Sequence, residues 1–416
     1  MKTTKQIGLS MDMNKRRSVL KAGALAAAGT MLGVPLIGRA QPAVVKLGAV
    51  GSITGPLSYT GTQARKGIQF ALDHINAAGG IKSLGGAKVE MVFVDAQSRP
   101  DIGAAEVDKL AQAGVAAIVG AQSSAISLST SQAAARYGIP YIVDVGSAEQ
   151  IVERGLKNTF RFSPGVIRSV EQSMLNLNSM NTAANQAVRT AAIVHEDGPF
   201  GSSMAKILSE KLPDIGIEVV ETISHPTPQR DFTNIVLRLR ASGADMVMPS
   251  HYINEFILFS RAIQQQKLKL KAMYSIYGGG ASNIRFVREH NAAAQYVIDT
   301  NHWFDPKKPM SQKLAEQAAA ENVDLTYDVM VAYAATQLAV DAIERANSVD
   351  HAKIIDTLAT QTFSDTIMPY GPIKFVNGDN TGSQLVNTQV RGDKIELVYP
   401  KEFATAEPVF PMPERG

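Results

Sequence analysis

The sequence predicts an α/β protein made of two parallel, helix-covered sheets that follow one another along the chain. Three observations carry this reading. Short runs rich in Val, Ile and Ala alternate with segments of helical period, the alternation restarts after Pro164, and the tail then changes to long helices followed by extended runs. Strands buried on both faces read as continuous apolar runs, which fits a parallel sheet packed between helices.

The spacing predicts a strand over 44–50. Ile68, Ala71, Leu72 and Ile75 then fall at i, i+3, i+4 and i+7, one face of a helix that Gly79 and Gly80 end. A strand over 89–94, a helix over 104–113, a strand over 116–119, a helix over 126–136 and a strand over 139–143 continue the βαβ winding. After Pro164 the expected helices cover 170–180, 203–212, 232–241 and 255–265. The strands between them cover 191–195, 217–222, 245–248 and 271–274. The tail predicts helices over 311–321, 327–346 and 352–359, then extended runs over 373–376, 385–390 and 395–398. Helices that follow two complete α/β units need a sheet to pack on. The chain is therefore expected to return to the first unit near Trp303 and to cross again near Ile367. That places residues 41–162 and 303–366 in one lobe and 163–302 and 367–416 in the other, with three connections between them.

The N-terminus reads as a leader over residues 1–40. Lys15, Arg16 and Arg17 precede Ser18-Val19-Leu20-Lys21, residues 22–37 are almost uncharged, and Ala40 offers a small residue before Gln41. A twin-arginine pair with Leu and Lys close behind points to the Tat route; the apolar run is short for a membrane span, which needs about 20 residues. The protein is thus expected in the periplasm, and the chain left after leader removal is not expected to span the membrane. The leader also explains the basic balance. It carries seven of the 41 lysines and arginines and one of the 38 acids, so the remainder holds 34 bases against 37 acids, a net of −3. Without surplus positive charge or a Lys/Arg-dense run, nucleic acid is not an expected partner. With no cysteine, disulfides, thiol catalysis and a lipidated cysteine anchor are excluded.

Enzyme motifs are missing as well. The sequence contains no Gly-x-Ser-x-Gly, Gly-x-x-x-x-Gly-Lys-Ser/Thr, Gly-x-Gly-x-x-Gly or His-Glu-x-x-His, and His195-Glu196-Asp197 lacks metal-ligand spacing. Asn377-Gly378-Asp379-Asn380 echoes a calcium loop without its terminal acid and reads more plainly as a hairpin turn. No catalytic residue, cofactor or metal is expected. A hydrolase would have to assemble its residues from distant positions, and a ligand-sensing receptor or regulator would be expected to carry a membrane span or a DNA-binding module.

Several motifs in order resemble one family. Residues 44–50, Thr54-Gly55-Pro56-Leu57, Gly61, Gly67 and the run from Asp73 to Ile81 are similar to the opening of type I periplasmic solute-binding proteins of the branched-chain amino acid (Leu/Ile/Val-binding) ABC transporter group. Val94-Asp95, Ser123-Ser124, Gly138-Ile139-Pro140, the run from His195 to Gly201, Asp231-Phe232-Thr233 and Ser242-Gly243-Ala244-Asp245 continue the match. The resemblance covers essentially the whole chain after the leader. It implies two Rossmann-like lobes with three crossovers, a ligand cleft between them, and delivery of an amino acid or similar small carboxylate to an ABC permease.

In open α/β sheets ligands bind beyond the carboxyl ends of strands, so the loops there are the place to look. Ser123 and Ser124 stand between a strand and a helix, where serine commonly caps the helix. The resemblance implies instead that Ser124 donates its hydroxyl to a ligand carboxylate, with Ser147 in the matching second position and Gly146 beside it allowing close approach. In the first loop the family's aromatic aligns with Thr60, which makes the adjacent Tyr59 its substitute. Phe200 and Tyr252 align with aromatic cleft positions. The acid that pairs with a ligand ammonium in amino acid binders is replaced here by Ile276 or Tyr277. Asp144 and Asp197 are candidate substitutes; otherwise the ligand is an aromatic or branched aliphatic acid without an ammonium. If the arginine pair is a Tat signal, replacing Arg16 and Arg17 by lysine will leave unprocessed precursor inside the cell, as read by fractionation and blotting. Normal export of that double variant would refute the Tat assignment.

Overall fold

The computed structural model describes residues 44–414, so the leader expected over 1–40, with Lys15, Arg16 and Arg17, lies outside the described residues. The first stretch alternates strictly: β1 (Val44–Gly51), α1 (Ser58–Ala77), β2 (Lys88–Asp95), α2 (Pro100–Ala113), β3 (Ala117–Val119), α3 (Ser124–Ala135), β4 (Tyr141–Val143), α4 (Gln150–Glu153) and β5 (Thr159–Arg161). The second repeats the scheme with α5 (Val166–Ala183), β6 (Thr190–Glu196), α6 (Pro199–Lys211), β7 (Glu218–His225), α7 (Thr233–Ser242), β8 (Met246–Ser250), α8 (Ile253–Gln265), β9 (Ala272–Ile276), α9 (Ile284–Glu289), α10 (Asn291–Ala294) and β10 (Ile298–Asn301). The tail supplies α11 (Pro309–Ala320), α12 (Tyr327–Ala346), α13 (His351–Thr360), β11 (Thr362–Phe363), β12 (Ile373–Val376), β13 (Asp379–Asn380), β14 (Val386–Arg391) and β15 (Lys394–Tyr399).

Two mixed sheets result. One runs β2-β1-β3-β4-β5-β13-β12-β11 and the other β7-β6-β8-β9-β10-β14-β15. The first five strands of each are parallel, and both follow the doubly wound order 2-1-3-4-5, with strand order reversing between β1 and β3 and between β6 and β8. The expected return to the first sheet near Trp303 is seen in the packing. Leu314, Met330, Leu338, Ile354 and Leu358 of α11–α13 share one core with Val45, Leu47 and Phe70, and Trp303 packs against it.

The last crossing falls elsewhere than expected. Residues 367–380 were assigned to the second lobe, yet β12 and β13 belong to the first sheet, and the chain reaches the second only at β14. The reason lies in the Asn377-Gly378 turn. Both residues have positive φ, 51° and 80°, the conformation of a two-residue hairpin loop. The hairpin lays β13 beside β5, where Gly378 O accepts from Arg161 N at 2.7 Å. β5 and β10 were not expected at all. Both are short and carry residues that read as loop, Arg161 in one and Asp299 and Asn301 in the other, although each strand is buried throughout.

α1 and α12 cross close together at Gly67. A Cβ there would stand 2.2 Å from Val329 O, backbone that cannot move aside cheaply. Gly67→Ala should therefore cost about 1–3 kcal/mol, read as a melting temperature several degrees lower. An unchanged melting temperature would mean that the two helices are free to separate.

Candidate functional site

The carboxyl ends of the two parallel sheets supply one small shared cavity. Thr60 comes from the loop and helix after β1, Gln122 and Ser124 follow β3, Val145 and Ser147 follow β4, Phe200 follows β6, Tyr252 follows β8, Tyr277 follows β9, and Tyr327 opens α12. The enclosed space is about 20 Å³, room for a single water. Contacts between the two sheets' loops close it: Ser123 Oγ and Tyr252 Oη are 3.3 Å apart, Tyr59 Oη donates to Asn283 Oδ1 at 3.3 Å, and Asn254 Nδ2 donates to Pro56 O at 2.8 Å. While these contacts hold, the space admits nothing larger than a water. A larger groove of about 740 Å³ is lined by α11, the loop after it, the β14–β15 turn and the Trp303-Phe304 pair. It includes none of the residues that converge on the small cavity.

Neither serine caps α3. Ser123 is the residue before the helix but its side chain accepts no helix N–H; it meets Tyr252 instead. Ser124 Oγ accepts from Ser147 N and from Ala148 N, both at 3.1 Å. A hydroxyl oxygen has two lone pairs. With both engaged, the group is left with its O–H to give, so Ser124 is fixed as a donor at the cavity wall. The start of α3 adds the positive end of a helix dipole beside it.

That arrangement depends on Arg161. Its side chain is 1 % exposed. Nη1 donates to Ser147 O and Ala148 O at 3.1 Å each, while Nη2 reaches Glu149 Oε2 at 3.1 Å and Nε reaches Asp379 Oδ1 at 3.0 Å. The guanidinium thereby holds the two residues whose N–H groups hold Ser124.

Aromatic rings form the rest of the wall. Phe200 and Tyr252 lie with centroids 5.8 Å apart. Tyr277 donates to Pro164 O and accepts from Ser169 Oγ, each at 3.0 Å, and its ring lies 5.5 Å from that of His302. Burial drives the Tyr277 phenol well above its ordinary pKa. The loop bearing Tyr277 is folded around Asp299, a carboxylate that accepts from Ser275 Oγ, Ser282 Oγ, Asn301 Nδ2, Gly278 N and Gly279 N. Burial nevertheless lifts Asp299 to about 6.

The site thus gathers Ser124, Ser147, Phe200, Tyr252 and Tyr277 of the expected residues, with Ser123 touching from behind. Other expectations are corrected. Tyr59 is not on the wall; it packs into the second sheet's core beneath Arg285, and Thr60, one residue on, takes the cavity position. Gly146 serves packing, since a Cβ there would meet Ser127 Oγ at 2.5 Å. Ile276 is buried in the core, which leaves Tyr277 as the cavity residue of that pair. Asp197 is exposed and away from the cavity. Asp144 is fully buried, raised by burial to about 6, and engaged by Val145 N at 2.7 Å and by Gln122 Nε2 at 2.9 Å. It stands behind Gln122. Sequence reasoning missed Gln122, Val145 and Tyr327. The first two flank residues it had chosen, and Tyr327 begins a helix it had placed correctly. Among the described residues no cluster of three metal-ligating side chains occurs and no helix is long and apolar enough to cross a membrane.

Two doubly wound lobes that bring their strand ends to one cavity define a type I periplasmic binding fold. The chain belongs to the periplasmic binding protein family, whose profile matches residues 44–391. It is 27% identical to Leu/Ile/Val-binding protein homolog 3 of Brucella melitensis over 333 residues, 77% of this chain and 88% of that one. Its fold is similar to that of the branched-chain amino acid transporter substrate-binding protein LivJ of Streptococcus pneumoniae, solved in complex with isoleucine (TM-score 0.74, 20% identity, 86% of this chain and all of that one). It is also similar to a solute-binding protein of an R. palustris ABC transporter in complex with 4-hydroxybenzoate (TM-score 0.72, 18% identity, 90% and 98% covered).

Replacing Arg161 by methionine should be strongly destabilising. It removes the buried guanidinium that faces Glu149, leaves Asp379 only its 3.4 Å contact with Arg168, and frees two carbonyls, at a cost of about 3 kcal/mol, visible in urea unfolding. A variant as stable as the parent would show that the guanidinium is dispensable to the Ser147-Ala148 turn.

Proposed function

We propose that this protein is the solute-binding component of an ABC importer, exported to the periplasm, and that it captures a small carboxylate by closing its two lobes. The observation that carries the proposal is Ser124, whose oxygen is saturated by the Ser147 and Ala148 N–H groups so that its proton is left for an acceptor in the cavity. Ser147 provides a second hydroxyl on the same wall, and Phe200, Tyr252, Tyr277 and Tyr327 suit an apolar or flat body. The cavity wall contains no acidic or basic side chain, so the carboxylate is met by hydroxyls, backbone N–H groups and a helix start, as is common for anions at strand ends. The solute-binding relatives and the leader-like start support the transport role. The Arg16-Arg17 pair supports export by the Tat route.

The ligand leaves unmodified in this reading. Its binding closes a hinge between the lobes, and the closed form is what the permease receives. Thermal-shift screening against amino acids and aromatic or aliphatic acids will identify the ligand class through the raised melting temperature of the bound form. Ser124→Ala removes a hydrogen bond to a charged group, typically about 1.5–3 kcal/mol, so affinity should fall roughly tenfold to a hundredfold by calorimetry. Unchanged affinity with a lowered melting temperature would reduce Ser124 to a scaffold residue. Steady conversion of ligand to product would overturn the transport reading altogether.

A further inference from the structure

One short helix of the second lobe and its cap hold the first lobe by three side chains, none of which lines the cavity. α9 is fixed firmly to its own lobe. Phe286 and Val287 are fully buried in the second lobe's core, and Ser282, just before the helix, donates to Asp299 Oδ2 at 2.9 Å. With those positions turned inward, Arg285 and Arg288, three apart and therefore neighbours on a helix surface, point outward. Asn283 caps the helix, its Oδ1 accepting from Arg285 N at 3.0 Å, and the same oxygen accepts from Tyr59 Oη of the first lobe at 3.3 Å. The Arg285 guanidinium lies 4.9 Å from the centre of the Tyr59 ring and is held there by Glu289, one turn on, which accepts from its Nε at 2.9 Å. Arg288 Nη1 reaches Asp324 Oδ1 of the first lobe at 2.6 Å.

The first lobe's share of these contacts comes from two elements that are themselves joined. Tyr59 stands in the first turn of α1 and Asp324 in the loop that leads into α12, and those helices pack closely at Gly67 and Val329. The Tyr59 ring has left its own lobe and packs among the buried apolar residues of the second. We propose that α9 is a clamp between the lobes, in which Asn283 and Arg285 grip Tyr59 while Arg288 pairs with Asp324, so that side chains outside the binding cavity set the balance between joined and parted lobes. The inference rests on the capture function proposed above only for its consequence, that joined lobes retain a solute; the clamp itself is a property of the chain. Parting the lobes draws an aromatic ring out of an apolar core and takes a cation off its face, which weights the joined form by about tenfold or more. The ion pair, whose side chains are 63% and 33% exposed, adds no more than about fivefold.

Small-angle scattering of the purified protein, refolded from guanidinium chloride to strip bound solute, tests the clamp with no ligand added. The parent should scatter as the compact structure does. Tyr59→Ala and Arg288→Glu should each enlarge the radius of gyration, Tyr59→Ala the more. Adding Asp324→Arg to Arg288→Glu restores the pair with its signs exchanged and should return the compact scattering. Circular dichroism and melting curves report whether Tyr59→Ala is folded, and the Arg288 variants, altered at an exposed position, decide the matter if it is not. An expanded parent, or either variant folded and scattering as the parent does, would overturn the clamp. So would an expansion by Arg288→Glu that Asp324→Arg fails to reverse, since the effect would then not belong to the pair. The clamp and the capture function fail separately. A solute screen without a binder would end the capture reading and leave these scattering outcomes as they stand, whereas unaltered scattering of the variants would end the clamp and leave the Ser124 site in place.

Discussion

The guanidinium of Arg161 is the interaction on which the cavity depends. It is fully buried and is compensated on every side: two carboxylates neutralise it, and two backbone carbonyls take its remaining donors. A buried charge so completely satisfied contributes less to net stability than to uniqueness, because almost any other arrangement would leave it unpaired. What it makes unique is the turn at Ser147 and Ala148. That turn orients two N–H groups onto Ser124 Oγ, which leaves the Ser124 hydroxyl with its proton to give at the cavity wall. One partner of Arg161, Asp379, comes from the hairpin of the returning tail and is also bound by Arg168 at the start of α5. The first lobe's side of the cavity is thus braced by chain that is more than 200 residues away in sequence, as the 218-residue separation of Arg161 and Asp379 records.

A second constraint is topological. Both halves adopt the order 2-1-3-4-5, so both have a reversal of strand order where loops diverge and leave a crevice. The loops after β1 and β3 face those after β6 and β8, and the cavity residues Thr60, Gln122, Ser124, Phe200 and Tyr252 come from these four places. Opposed crevices make a cleft whose size is set by the distance between lobes, not by the packing of either lobe alone. Trp303, the only tryptophan of the chain, sits on the second connection, against the first lobe's core.

The alternation of strands and helices was legible because burial on both sheet faces and on one helix face imposes apolar periodicity. α12 matches its expected range residue for residue. What escaped was what periodicity cannot carry. β5 and β10 are buried through polar side chains whose partners lie elsewhere, Asp379 for Arg161 and Ser275, Ser282 and Gly278 for Asp299. The final crossing was misplaced for the same reason, since an Asn-Gly turn announces a hairpin but not the strand beside which it will lie. Within the site, Ser124, Ser147, Phe200 and Tyr252 were legible from loop position and resemblance. Tyr59 was not, because adjacent residues in the first turn of a helix face about 100° apart, and aromatic character alone does not say which of them faces the cavity.

The electrostatics of the cleft follow from these constraints taken together. Asp144, Asp299, Glu196 and Glu255 are raised by burial, and His225, His251 and His302 are lowered by it, His302 to about 3. Burial pushes acids and bases alike toward their neutral forms, so the protein around the cavity presents dipoles more than charges. A lone anion could be held there by hydroxyls and a helix start, but a site of that kind has no countercharge and discriminates weakly between one carboxylate and another.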